Sequence, residues 1–129
     1  MHVGLKISQR GEAMAAEKNF ENRVKEFLTD EGCWFVKFFA NAYTKSGIPD
    51  ILCCCNGYFV AIEVKAPNGK PSELQKWNIE KINREFGFGV ILYPNQFDNF
   101  KELIGCLNDD EPYFARGVVE KINRRWWGE

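Results

Sequence analysis

The sequence predicts an α/β fold, a mixed central sheet with an antiparallel hairpin flanked by helices, and three observations carry that reading. Apolar residues recur at helical spacing over residues 17–31 and again over 72–86. Asn56-Gly57 divides two apolar runs, the signature of a two-residue hairpin turn. Those runs, residues 50–55 and 58–66, are apolar on both faces, as expected of central strands covered by helices on either side.

The opening stretch MHVGLKISQRGEA reads, over residues 1–14, as a disordered leader or an alternative start, with Met14 at its end. Lys6, Arg10 and Glu12 interrupt every apolar run in it, so it is neither a signal peptide nor a membrane span. Residues 15–129 then form a single domain, a length that suits one hydrophobic core. In the first helix Phe20, Val24, Phe27 and Leu28 make the apolar stripe and Gly32 stops it. Residues 33–39, β-branched and aromatic, read as a strand, and the polar loop 40–49 is punctuated by Gly47 and Pro49.

The hairpin strands follow, and after the loop PNGK a second helix opens at Ser72, carries Ile79, Ile82 and Phe86 on one face and ends at Gly87. Residues 88–93 read as a strand, 96–107 as a helix, and the tail beyond Pro112 as helical around 118–125. The expected order is helix, three antiparallel strands, helix, strand, helix.

Composition narrows the function classes. With 45% hydrophobic and 27% charged residues the chain is an ordinary globule and not disordered throughout. Seventeen Lys and Arg against eighteen Asp and Glu give a formal charge of −1, so only local patches, not a global field, can attract a nucleic acid. Five cysteines, three of them consecutive, form no CxxC pair, and His2 is the sole histidine. That spacing argues against a structural zinc site and for reduced thiols in a cytosolic protein.

Three charged residues stand where burial makes charge costly: Asp50, Glu63 and Lys65. A two-residue turn at 56–57 pairs Cys55 with Tyr58, and the same register carried outward sets Asp50 opposite Glu63, with Cβ atoms on the order of 5 Å apart. Two like charges so placed repel, and a shared hard cation, magnesium or manganese, removes the problem. Strand alternation puts Lys65 on the same face as Glu63, where an ammonium can orient an attacking water and offset charge at a phosphorus centre. A Glu-x-Lys on a strand is usually a solvated ion pair, but here the neighbours on that face, Leu52, Cys54, Phe59 and Ala61, are apolar.

The run from SGIPDILCC through GYFVAIEVKAPNGKPSELQ resembles the signature of the PD-(D/E)XK nuclease superfamily, and most of all its VRR-NUC family, which is similar to archaeal Holliday-junction resolvases. The resemblance covers roughly residues 17–94. It implies a restriction-endonuclease-like core in which Asp50 and Glu63 are metal ligands, the main-chain carbonyl of Val64 completes the site and Lys65 is the catalytic lysine. It also implies a glutamate from the first helix. Glu21 lies on the stripe of Val24 and Leu28 and is the better candidate; Glu17, one turn earlier, is the fallback. Gln75 matches a glutamine that related nucleases carry after the lysine strand, yet Ser72-Glu-Leu-Gln75 is also a capping box, and the two roles stand even.

Tyr43, Lys45 and Ser46 before the site, and Lys70 after it, are placed to touch a phosphate backbone, with Lys76 and Lys37 extending the track. Arg124-Arg125-Trp126-Trp127 either grips DNA or, more in keeping with its tryptophans, packs against the domain or a second subunit. The resemblance implies a metal-dependent DNA nuclease for branched, flapped or junction DNA, leaving a 5′-phosphate and a 3′-hydroxyl. It also implies a homodimer, and replication or repair in the cytoplasm of a bacterial or phage-infected cell. A restriction-like endonuclease, an exonuclease, a non-catalytic DNA-binding module and a structural ion cluster are the competing readings.

Overall fold

The computed structural model describes residues 2–41, 43 and 45–127, with side chains described between Gln9 and Trp126. Its elements in chain order are α1 (His2–Asp30), β1 (Trp34–Lys37), β2 (Ile51–Cys55), β3 (Tyr58–Val64), α2 (Glu73–Arg84), β4 (Phe88–Leu92), a 3-10 turn (Pro94–Gln96), α3 (Phe97–Asn108) and α4 (Pro112–Trp127). The sheet order is β1-β2-β3-β4. β1, β2 and β3 pair antiparallel and β3 pairs β4 in parallel, so the sheet is mixed and α2 is the crossover that a parallel pair requires.

The hairpin forms as its sequence predicts. Asn56 and Gly57 both take positive φ, 51° and 86°, the pair that a type I′ turn demands. Every recorded pair from Ile51↔Ile62 to Cys55↔Tyr58 keeps the same register, with no bulge.

One face of the sheet carries the main core. Phe20, Val24 and Leu28 of α1, Phe100, Leu103, Ile104 and Leu107 of α3 and Ile122 of α4 bury against Cys53, Cys55, Val60, Ile62, Val90 and Leu92. On the other face Ile79 of α2 and Trp126 of α4 pack with Ile91 and Tyr93, over the β4 side only. The expectation that helices cover both faces of the hairpin is therefore corrected. Cys54 is exposed, Trp34 is 65% and Phe59 46% exposed, because α2 follows β3 and returns over β4, leaving the β1–β2 half open.

Two further expectations change. The stretch read as a disordered leader continues α1 back to His2, and its side chains from Gln9 to Ala16 are exposed. No apolar stripe marks this stretch, and over residues 9–16 it holds helical geometry by local propensity, with Gly11 the one strongly unfavourable residue. Phe86 was expected on the inward face of the second helix, but α2 ends at Arg84 and Phe86, at φ 69°, is left-handed and 83% exposed. Trp126 is buried, as expected of packing within the domain; the side chain of Trp127 lies outside those described.

β4 is a sheet edge, and asparagines close it. Asn123 of α4, fully buried, accepts the Ile91 N–H at 3.1 Å and donates to the Gly89 carbonyl at 2.9 Å. Asn83 of α2 accepts the Gly89 N–H and donates to its carbonyl, both at 2.9 Å. These side chains stand in for the missing fifth strand. Replacing Asn123 by Ala strips partners from buried main-chain groups and should lower stability by about 1–3 kcal/mol, read from the denaturant midpoint; an unchanged midpoint would contradict the role.

Candidate active site

Asp50 opens β2 at the end of the polar loop. Its main-chain carbonyl accepts the Phe38 N–H at 2.8 Å, and its carboxylate Oδ2 accepts the Val64 N–H at 2.9 Å. The hairpin register puts it opposite Glu63, one position beyond the last recorded pair. The aspartate thus ties the mouth of the hairpin through its side chain, and the two carboxylates meet there.

Glu63 is buried at 3% exposure. Its Oε2 receives Gln75 Nε2 at 3.2 Å and lies 3.5 Å from Lys65 Nζ, while Oε1 is buried with no hydrogen-bond partner among the described residues. Burial first, and the Asp50 charge second, push its pKa up to about 8 against the opposing pull of Lys65. An orphaned, buried carboxylate oxygen beside a second carboxylate is the environment a hard divalent cation relieves, and the donors present are oxygens. The site fits such an ion.

Gln75 caps the helix and also contacts Glu63. Its Oε1 accepts the Ser72 N–H at 2.9 Å and its own N–H donates to Ser72 Oγ at 3.1 Å, completing the capping box, while Nε2 holds Glu63. One amide fixes the start of α2 and the orientation of the buried carboxylate.

Both helix glutamates reach this region, with different surroundings. Glu21 is buried, with Lys37 Nζ 2.6 Å from Oε1 and Lys25 and Lys18 at 3.3 and 3.4 Å from Oε2. Burial opposes its ionisation, but Lys37 and Lys25 outweigh that and hold its pKa below the usual carboxylate range. Lys37 also stands 3.4 Å from Asp50 Oδ1, so it links the two acids. Glu17 feels burial and then Asp50, which raise its pKa against Lys65 and the Ala66 main chain. Among the described residues no three carboxylates bring their oxygens within 4.8 Å of one another, so the helix acids stand back from the Asp50–Glu63 pair.

Residues that sequence reasoning passed over hold the loops on either side. Asn78 of α2 donates to the carbonyls of Gly47 at 3.0 Å and Leu74 at 2.9 Å, and approaches that of Ser46 at 3.4 Å. Gly47, at φ 78°, presses against α2 so closely that a Cβ would sit 2.8 Å from Leu74. The available signal was a polar residue beside Ile79 and three positions beyond Gln75. On the far side, Tyr93 donates to the Gly69 carbonyl at 2.9 Å, and Arg125 stacks 3.5 Å over the Tyr93 ring while donating to the Pro67 carbonyl at 2.7 Å.

Of the residues expected to touch a phosphate backbone, Tyr43, Lys45, Ser46 and Lys70 are exposed. Lys45 leans over the Trp77 ring at 5.7 Å, and Lys76 pairs with Glu73 at 3.5 Å. A groove of about 560 Å³ runs between the loop carrying Lys70, Lys76 of α2 and Arg125 of α4.

The raised pKa of Glu63 carries a stability prediction with a defined sign. The folded state favours its protonated form, so that contribution is complete below about pH 4.5 and is lost as pH rises through about 8. In EDTA the denaturant midpoint should fall across this window. Glu63→Gln should flatten the fall and be more stable than wild type at pH 8 by about 1–3 kcal/mol; a parallel fall in the variant would contradict it.

No curated protein and no solved structure matched the chain. The family model of the archaeal Holliday junction resolvases matches residues 13–88, more than half of the chain and the whole span from the helix acids through Asp50, Glu63, Lys65 and Gln75 to the start of β4. With its mixed sheet flanked by helices in the restriction-endonuclease-like manner, the chain belongs to the archaeal Holliday junction resolvase family, a family of PD-(D/E)XK-like nucleases.

Proposed function

We propose that residues 15–129 form one divalent-metal-dependent endodeoxyribonuclease domain that hydrolyses phosphodiester bonds in structured DNA, four-way junctions first among them and flaps or other branches next. The observation that carries this reading is the buried Glu63, its Oε1 without a hydrogen-bond partner among the described residues, set opposite the half-buried Asp50 with Lys65 alongside, in a chain of the resolvase family. Within the superfamily, the run from SGIPDILCC through GYFVAIEVKAPNGKPSELQ most resembles the VRR-NUC family.

Asp50, Glu63 and the Val64 main-chain carbonyl would hold Mg²⁺ or Mn²⁺, which when bound polarises the phosphate and acidifies a water. Lys65 orients that water and offsets negative charge growing on the phosphorus centre. Gln75 keeps Glu63 in its ligating orientation. Of the helix acids, Glu17 is surrounded by Asp50 and Lys65, whereas Glu21 must first exchange Lys37 and Lys25 before it can serve as a ligand. Tyr43, Lys45, Ser46, Lys70 and Lys76 border the site and supply phosphate contacts that position the substrate without reading its sequence. Cutting two strands of a branch calls for two such sites, hence a homodimer. The reaction leaves a 5′-phosphate and a 3′-hydroxyl, in replication or repair within the cytoplasm of a bacterial or phage-infected cell.

The test is cleavage of labelled single-stranded, duplex, flap and four-way-junction DNA with Mg²⁺, Mn²⁺ or EDTA. Wild type should cut branched substrates only with metal, Lys65→Ala should lose on the order of 10²-fold or more in rate while remaining folded, and Gln75→Ala should lose about 10- to 100-fold. Equal cutting by Lys65→Ala would sink the assignment. Folded protein that binds junctions yet cuts nothing would point to a DNA-binding module, and preference for ends or plain duplex to an exonuclease or restriction-like enzyme.

A further inference from the structure

At the opposite end of β2 from Asp50, five residues and roughly 17 Å along the strand, three cysteines converge. Cys33 lies opposite Cys55, one position beyond the Trp34↔Cys54 pair. Because Phe38 donates its N–H to Asp50, alternation along β1 makes Cys33 and Cys55 a non-hydrogen-bonded pair, the kind whose Cα atoms approach to about 4.5 Å. Cys53, two residues back on the same face, completes a triangle. Cys33 Sγ is 2.7 Å from Cys55 Sγ, Cys55 Sγ is 3.2 Å from Cys53 Sγ, and all three sulfurs lie within 4.8 Å of one another.

We propose that Cys33, Cys53 and Cys55 form a second metal site, one that takes a thiophilic divalent ion of the zinc class with water in the fourth position. Three sulfurs around one such ion, at bonds of about 2.3 Å, stand roughly 3.8 Å apart, so the Cys33–Cys55 edge needs to open by about 1 Å and the Cys53–Cys55 edge by less. No other set of three ligating atoms among the described residues is this tight. Cys53 and Cys55 are buried in the core and Cys33 is half-buried at its margin.

The donor set separates this site from the hard-oxygen site at the other end of the strand: thiolates select zinc-like ions, carboxylates magnesium or manganese. Without metal the Cys33 and Cys55 thiols stay protonated. Burial pushes the Cys33 thiol up to about 12, and its neighbour Cys53 together with burial pushes Cys55 up as well. Binding therefore exchanges protons for metal: each sulfur that bonds the ion releases one proton to solvent, three in all, leaving a tris-thiolate complex of charge −1. Exposed Cys54 points to the other face and Cys106 belongs to α3, so neither is required.

The test uses the reduced full-length protein in excess Mg²⁺, titrated with Cd²⁺ as the probe. Thiolate-to-cadmium charge-transfer absorption should saturate at one equivalent, and the cadmium NMR resonance should fall in the deshielded range of sulfur-rich coordination. Cys33→Ser and Cys53→Ala should each weaken binding about tenfold or more, while Cys54→Ser and Cys106→Ser should leave it unchanged. Absence of the charge-transfer band in wild type overturns the proposal, as does a resonance typical of oxygen ligands. So does reduced protein that takes up no Cd²⁺ but, on mild oxidation, loses two hydrogens by closing a Cys33–Cys55 disulfide. The two wild-type readouts decide the matter even where a variant fails to fold.

Discussion

Two carboxylates forced together at the mouth of one hairpin are the constraint around which the rest of the molecule is arranged. Asp50 and Glu63 meet because an Asn-Gly turn sets a register that no bulge disturbs. Like charges in a site this dry repel strongly. The repulsion is tolerated because surrounding groups compensate part of it: Lys65 on Glu63, Lys37 on Asp50, the Val64 amide on Asp50 and the Gln75 amide on Glu63. One Glu63 oxygen stays buried without a hydrogen-bond partner among the described residues.

The supporting elements are economical. α2 begins at the site and ends near the sheet edge, and its polar residues serve at both places. Gln75 caps the helix and holds Glu63, Asn78 anchors the loop that delivers Asp50, and Asn83 closes β4. α4 does the same from the far side, where Asn123 completes the sheet edge and Arg125 braces the loop after Lys65. A buried polar side chain that satisfies main-chain groups on two elements fixes their relative position more tightly than apolar packing alone, because its partners have direction.

The sheet also separates two chemistries. Hard oxygen donors gather at one end of β2 and soft sulfur donors at the other, with an apolar core between. Strand β2 alone contributes Asp50's neighbour Ile51 at one end and Cys53 and Cys55 at the other, so both ends depend on the same register. The open part of the second sheet face, with Trp34 of β1 and Phe59 of β3 uncovered, follows from the same topology, since the single crossover helix returns over β4.

By itself the sequence determined whatever depends on near neighbours along the chain. The hairpin, its register, the alternation that sets Lys65 beside Glu63, the capping box at Ser72 and the helical stripe of Phe20, Val24 and Leu28 are all consequences of local stereochemistry and spacing. Tertiary structure decided what depends on elements distant in sequence. Only the fold could turn Lys37 inward to bridge Glu21 and Asp50, divide the surroundings of Glu17 from those of Glu21, and leave half of one sheet face open. It also made a cluster of Cys33, Cys53 and Cys55, whose spacing argues against a zinc site until β1 is laid beside β2. The physical reason is the same in each case: register and periodicity propagate along a strand or helix, whereas the partner of a long side chain is set by whichever backbone packs against it.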